Sequence, residues 1–301
     1  HDLKLSRVRV VTGRVAATLV LALAAVYVLQ ADDSAIPPSA AQSSAGASGA
    51  PVVTVRTDSG GREWYVARER VIPFGRKLID VPILLYHYIR PAPSRRTDPI
   101  GYNLSVSPAD FQMQMDWLQA HGYHPVDFND VRNYFAGLAE LPAKPVVITL
   151  DDGYADLYKA AFPILRAHRF KAVAYIVSGF VGRPRYVTKD QIVAMDGAGI
   201  EIGAHTVDHI NLARAPQAVV MFEVEQSKRW LEQLVGHPVV DFAYPSGKFD
   251  PQVIIDVQAA GYSTAVTEEF STAHGLDDRF TWGRVRVTGG EKLQAFIQNL
   301  G

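Results

Sequence analysis

The chain has 301 residues, a formal net charge of −1, 48% hydrophobic residues and 20% charged ones. These proportions suit a globular protein with enough chain for a full core, and near-neutrality gives no footing for a nucleic-acid binder. With no cysteine, disulfides, thiolate metal sites, a cysteine nucleophile and iron–sulfur clusters are excluded, so any metal site must come from His, Asp or Glu.

The charge is unevenly placed. Lys4, Arg7, Arg9 and Arg14 precede an uncharged run from Val15 to Ala31, and Asp32 and Asp33 follow it. As a helix, those 17 residues would span about 26 Å at ~1.5 Å per residue, near the lower limit for crossing a bilayer. The flanking charges predict the N-terminus inside and the rest outside. Residues 1–31 therefore read as a signal anchor or a signal peptide. Either one exports the remainder, to the cell surface or beyond it. Residues 32–61, dominated at first by Ala, Ser, Gly and Pro, read as a flexible linker. Val53 and Val55, then Trp64 and Val66, alternate weakly around Ser59-Gly60-Gly61, a possible hairpin turn. Residues 62–301 are expected to hold the catalytic domain.

From Val81 onward strands and helices alternate. Val81 to Tyr88 is an apolar strand candidate. Ser107-Pro108 opens a helix that carries Phe111, Met115 and Leu118 at helical spacing. Pro145–Leu150 is a short apolar strand, Ala155–His168 a helix, and Lys171–Val177 a strand. Thr188 and Gln191 form a capping box for the next helix. Gly199–Ala204 reads as a strand, Pro216–Val235 as a long amphipathic helix, Val239–Ala243 as a strand and Pro251–Ala260 as a helix. Strands at Tyr262–Thr267 and Arg284–Val287 and a helix at Glu291–Leu300 complete the pattern. Continuous apolar strands separated by helices imply a parallel sheet covered by helices. About seven such units predict an α/β fold, a distorted (β/α) barrel.

Functional groups of such folds gather at the C-terminal ends of strands. Four clusters fall there: Tyr86-His87-Tyr88, Asp151-Asp152-Gly153, His205 to His209, and Tyr244-Pro245-Ser246-Gly247. Two adjacent aspartates at a strand end can divide the work, one holding a metal and the other moving a proton. As a bare motif, Asp-Asp-Gly is also an ordinary solvated turn. His205 and His209, at i and i+4 of a helical turn, would project to one side and share an ion. Two imidazoles and one carboxylate suit zinc or another borderline divalent metal, with a coordination position left for water. Such a centre beside a carboxylate base is equipped to hydrolyse an amide or an ester.

The segments Ile148–Tyr154 (ITLDDGY), His205–His209 (HTVDH) and Phe242–Gly247 (FAYPSG) resemble the polysaccharide deacetylases, carbohydrate esterase family four. The resemblance runs from about Val81 to Leu300. The strand Pro82–Ile89 (PILLYHYI) looks like the branch that de-N-acetylates poly-β-1,6-N-acetylglucosamine. The resemblance implies that Asp151 is the general base and that Asp152, His205 and His209 ligate a divalent metal, zinc foremost and cobalt or nickel as alternatives. It also implies that the Ser246 N–H helps form the oxyanion hole, and that Thr206 orients the histidine loop.

The sequence departs from the family pattern in three places, one of them Ser246, where tyrosine commonly follows the motif proline. The arginine that commonly stands two residues before the motif proline, buttressing the base, is replaced by Ala243. The late Leu-x-His motif that supplies the general acid has no counterpart, and His274 reads as part of a loop. His87 is the candidate substitute acid, with a buried structural histidine as the plainer alternative. Tyr244 and Trp282 are candidate sugar contacts, and each could equally be a packing residue. The expectation is a metal-dependent N-deacetylase acting on an N-acetylglucosamine polysaccharide, membrane-associated through its N-terminal segment. Another acetylated glycan as substrate, or an inactive carbohydrate-binding module of the same fold, are the alternatives. The sequence does not speak to oligomeric state.

Overall fold

The computed structural model describes residues 53–57, 63–67 and 78–300. The expected membrane segment and most of the expected linker lie outside them. Among the described residues, no helix is long and apolar enough to cross a membrane.

Strands β1 (Val53–Thr57) and β2 (Glu63–Ala67) pair antiparallel, with Val53 opposite Ala67 and Thr57 opposite Glu63. The hairpin turn read at Ser59-Gly60-Gly61 is thus flanked by paired strands, and β1 falls within the stretch expected to be linker. Next come β3 (Leu78–Asp80), β4 (Ile83–Tyr86), β5 (Tyr88–Ile89), helix α1 (Pro99–Leu104) and β6 (Ser105–Val106). Helix α2 (Pro108–Ala120), β7 (His124–Val126), helix α3 (Phe128–Phe135) and β8 (Pro145–Leu150) follow. Helix α4 (Phe162–His168), β9 (Val173–Ile176), α5 (Lys189–Asp196) and β10 (Glu201–Ala204) continue the alternation. The chain then runs through α6 (Gln217–Val235), β11 (Asp241–Ala243), α7 (Pro251–Ala259), β12 (Thr264–Val266), β13 (Ala273–Gly275), β14 (Val285–Arg286) and α8 (Leu293–Asn299).

The main sheet is parallel, in the order β12-β11-β10-β9-β8-β4-β14, and β7 pairs with the first residues of β8. Trp282 bridges to Val266 of β12, and three residues later Val285 pairs with Leu84 of β4. One segment therefore touches both edges of the sheet and draws it into a distorted barrel. The pairing aligns the strand ends, with Tyr86 opposite Leu150, Leu150 opposite Ala174, Ile176 opposite Ala204 and Ala204 opposite Phe242. The residues that follow these strands consequently share one rim.

Side chains alternate across each strand. Ile83, Val147, Val173, Tyr175, Ala243 and Val266 point inward and form one buried cluster with Trp282, Phe128 and Val131. Their neighbours Leu84, Ile148, Ala174, Ile202, Phe242 and Ala265 point outward and pack beneath the helices with Phe111, Leu165, Val224 and Val257. At ~25 cal/mol per Å² of apolar surface removed from water, these two layers dominate stability.

Helix starts follow local chemistry. Ser107 accepts from the Asp110 N–H ahead of Pro108, and Thr188 and Gln191 cap each other reciprocally, as expected. Helix α3 and strand β7 were not legible as elements. The helix starts from an Asp127–Asp130 capping box, and its Phe128 and Val131 join the interior cluster. The expected helix over Ala155–His168 is divided: Leu157–Ala161 is a wider π turn, and α4 begins at Phe162. Pro163 lacks the N–H needed for a regular bond to residue 159, so the ladder widens before it. His274 lies in β13, pairs opposite Ile79 of β3, and is 1% exposed. It is a buried strand residue, not a loop residue.

Candidate active site

Strand β8 supplies the two aspartates. The inward alternation Val147, Thr149, Asp151 aims the Asp151 carboxylate into the barrel mouth, where it is 2% exposed. Its N–H continues the ladder by donating to the Tyr86 carbonyl (2.9 Å). Strict alternation would send Asp152 outward. Its φ of 73°, a left-handed value, turns the chain so that this side chain also faces the mouth.

Asp151 is clamped by Arg284, which is fully buried. The guanidinium donates from Nη1 to Oδ1 (2.8 Å) and from Nη2 to Oδ2 (2.7 Å). Arg284 is held in turn: Nη1 donates to Thr149 Oγ1 (3.0 Å), Nε to the Thr267 carbonyl (2.8 Å), and Thr149 Oγ1 donates to the Leu84 carbonyl (2.7 Å). Burial opposes ionisation of Asp151, but the guanidinium outweighs it and holds the carboxyl below its usual range. Sequence reasoning missed Arg284 because it lies 133 residues from Asp151. The arginine absent at position 243 has a spatial replacement on the segment that leads into β14.

Asp152, His205 and His209 converge, with one ligand atom from each lying within 4.8 Å of the others. Asp152 Oδ1 stands 3.4 Å from His205 Nε2 and 3.3 Å from His209 Nε2. That oxygen is buried and has no hydrogen-bond partner. His205 Nδ1 donates to the Ala243 carbonyl (2.7 Å), which fixes the tautomer and turns the Nε2 lone pair toward Asp152. Burial depresses the basicity of both imidazoles. For His205 the neighbouring Asp152 and Asp151 reverse the effect and raise its pKa, whereas His209 stays lowered by burial and by His205. Burial works against the charge of Asp152, yet His205 keeps its carboxyl well below the usual range. An orphaned carboxylate oxygen facing two imidazole nitrogens is the donor set of a divalent metal site with open positions. The residues fit such an ion.

The histidine pair does not meet through a helical turn. Residues 205–209 form a loop in which Thr206 (φ 66°) and His209 (φ 54°) are both left-handed. Thr206 Oγ1 accepts from the His209 N–H (2.9 Å). Buried Glu223 of α6 reaches up with Oε2 to accept from the N–H groups of Val207 (2.8 Å) and Asp208 (2.9 Å). A carboxylate anchored in a helix thus holds the loop from below, a support that the sequence pattern did not reveal.

The other expected site residues are divided. His87 follows β4 onto the same rim and is 8% exposed. Burial lowers its pKa, Asp151 and Asp152 pull it up, and Arg286 and Arg284 push it down, for a net lowering. Ser246 sits in the single turn Pro245–Gly247 after β11, with φ 53°. At Gly247 (φ +61°) a Cβ would lie 2.9 Å from the backbone nitrogen and Cβ of Glu268, so this turn needs glycine. Tyr244 and Trp282 are not brought to the mouth. Tyr244 is fully buried in the outer layer and donates to the Phe280 carbonyl (3.0 Å). Trp282 is 1% exposed, donates to the Gly275 carbonyl (2.8 Å) and packs among Phe128, Phe135 and His274. Both are packing residues, with no ring face left for a sugar.

Comparison with known proteins agrees with this geometry. The family model for polysaccharide deacetylase matches residues 139–265. The chain is 28% identical over 216 residues to the Bacillus subtilis (strain 168) protein YxkH, covering 72% of this chain and 74% of that one. It is 25% identical over 191 residues to the poly-β-1,6-N-acetyl-D-glucosamine N-deacetylase of Staphylococcus aureus (strain MRSA252), covering 58% of this chain and 66% of that enzyme. The solved structure of the Streptococcus pyogenes deacetylase PplD in complex with acetate superposes with a TM-score of 0.69 at 25% identity, covering 74% of this chain and 99% of PplD. The aspartate pair and the histidine pair both fall inside the stretch that the polysaccharide deacetylase model matches, and over that stretch the chain is similar to this family.

Proposed function

We propose that the protein is an exported, metal-dependent N-deacetylase of an N-acetylglucosamine polysaccharide at the cell surface, held at the membrane or released by its N-terminal segment. The observation that carries the reading is one mouth holding a clamped, ionised Asp151 beside the convergent Asp152, His205 and His209. A divalent cation on those three residues, zinc by donor chemistry, would polarise the acetamide carbonyl and acidify the attacking water. Asp151, kept anionic by Arg284, accepts the proton of that water. The Ser246 N–H donates to the oxygen that becomes negative, a contribution of about 3 kcal/mol for one such donor. His87 delivers a proton to the leaving amine, and its lowered pKa makes its protonated form a ready donor. Acetate and a glucosamine unit result.

The pairing of Asp151 with Arg284 favours this reading over a sugar-binding module without turnover. A fully buried guanidinium bonded to both oxygens of one carboxylate is a costly arrangement that ligand binding alone does not require. The test is acetate release by the full chain from β-1,6- and β-1,4-linked N-acetylglucosamine oligomers, with added zinc, cobalt or nickel. Metal-dependent release that is lost in both Asp151→Asn and His205→Ala is expected, and the better linkage names the polymer. Sugar binding without acetate from any acetylated glycan would overturn it.

A further inference from the structure

Beside the metal ligands lies a cavity of about 500 Å³ that the reaction described above does not use, lined in part by Tyr88, Arg90, Asp98, Tyr154 and Arg185. Tyr154 is two residues past Asp152 and Tyr88 is next to His87, so the cavity opens off the catalytic mouth. Its wall is built. The Tyr88 and Tyr154 rings stack at 3.6 Å, and Tyr186 lies 5.2 Å beyond Tyr154. The Arg90 guanidinium rests 3.5 Å over the Tyr88 ring, and its Nε donates to Ser105 Oγ (3.1 Å). Arg185 is exposed with a left-handed φ of 74°, and its carbonyl accepts from the Ala155 N–H (2.8 Å) while Tyr186 bridges to Tyr154. A left-handed non-glycine backbone held this way fixes the direction in which the Arg185 Cα–Cβ bond leaves the chain. Among the described residues, neither guanidinium has a carboxylate within ion-pair distance. The carboxylate of the wall, Asp98, is turned to the N-terminus of α1, where it accepts from the Gly101 N–H (2.8 Å).

Arg90, pre-set by stacking, and the exposed Arg185 put two guanidiniums on one wall outside ion-pair distance of a carboxylate, with Asp156 acting on Arg90 only from farther off, and such a pair suits a planar or tetrahedral anion. We propose that this cavity is the subsite for the sugar adjoining the one deacetylated, and that it selects a sugar bearing a carboxylate or phosphate. The inference rests on the deacetylase reading and narrows its substrate to an anionic glycan.

The experiment compares kcat/KM of the full chain on neutral N-acetylglucosamine oligomers and on matched oligomers whose neighbouring sugar carries a carboxylate in one arm or a phosphate ester in the other. The anionic substrate is expected to be preferred by about tenfold or more, as one charge-assisted contact allows. The preference should fall at high ionic strength and shrink in Arg185→Gln and Arg90→Gln, with Arg185→Glu reversing it. The two arms decide which anion is read. A wild-type ratio near one, or a ratio unchanged in Arg185→Gln, overturns the proposal. If no substrate releases acetate, calorimetry on Asp151→Asn still decides the point. Binding of the anionic oligomer that is lost on adding Arg185→Gln upholds the subsite while the deacetylase reading falls, and equal binding sinks the subsite as well.

Discussion

Replacing Arg284 by Met isolates what holds Asp151 ionised. The change leaves a carboxylate that is 2% exposed without either of its 2.7–2.8 Å partners. Breaking a buried pair from one side costs about 3–5 kcal/mol, because the remaining charge is desolvated and unpaired. For a domain of this size that is a fall in Tm of about 6–20 °C. Adding Asp151→Asn removes the stranded charge, so the double variant should regain about 1 kcal/mol or more over Arg284→Met alone. The pH dependence gives a second check. In the wild type the folded pKa of Asp151 is depressed, so its contribution is present above the unfolded value of about 3.9 and lost as pH falls through the folded one. In Arg284→Met burial, the largest influence on Asp151, is opposed only by His205 and His87, so the pKa rises and a penalty grows as pH climbs past about 3.9. The stability gap between the two proteins therefore widens from acid to neutral pH. Urea unfolding across that range measures it, and acetate release at neutral pH should drop about 100-fold or more. A cost under about 1 kcal/mol, or no recovery in the double variant, would refute the claim that this guanidinium neutralises the base.

Zinc at about 100 times its Kd should raise the stability of the wild type by about 2.7 kcal/mol, read by thermal melts, and should do nothing for Asp152→Asn. Glu223→Ala removes the acceptor of two loop N–H groups, and zinc affinity should weaken about 10–100-fold by calorimetry, with His205 and His209 intact. Burial pushes the His274 imidazole down to about 4, so the unfolded chain binds more protons between about 4 and 6.5. Stability should fall by about 3 kcal/mol as pH drops through that window. His274→Leu should flatten the loss, and an unchanged slope would exclude His274 as its source.

The strands β4, β8, β9, β10, β11, β12 and β14 of the main sheet were readable because each is a short apolar run between helix signals, and Pro145–Leu150 has the bounds that its composition suggests. Asp151, Asp152, His205 and His209 were readable because they crowd into two short motifs. Arg284 was not, since its role arises from barrel closure rather than local spacing. Helix α3 carries its start signal in Asp127 and Asp130, but only eight residues follow and they lack an apolar stripe of normal length. The geometry of the histidine pair was misread because i, i+4 spacing was taken as helical. Left-handed residues at 206 and 209 reach the same convergence through a loop. Tyr244 and Trp282 follow motif positions, yet strand parity and the interior layer claim both for packing.

The candidate metal ligands are complete by His209, and the family match ends at residue 265. The counter-charge of the base arrives only at residue 284, on the segment that joins both sheet edges. A ribosome makes the chain from its N-terminus, so the two aspartates emerge long before the arginine that makes burial of the first tolerable. Until then Asp151 lacks the two hydrogen bonds that offset its burial. Closure of the barrel and neutralisation of Asp151 are in this way one late event, since a chain cut short before residue 284 has neither the closing segment nor the guanidinium.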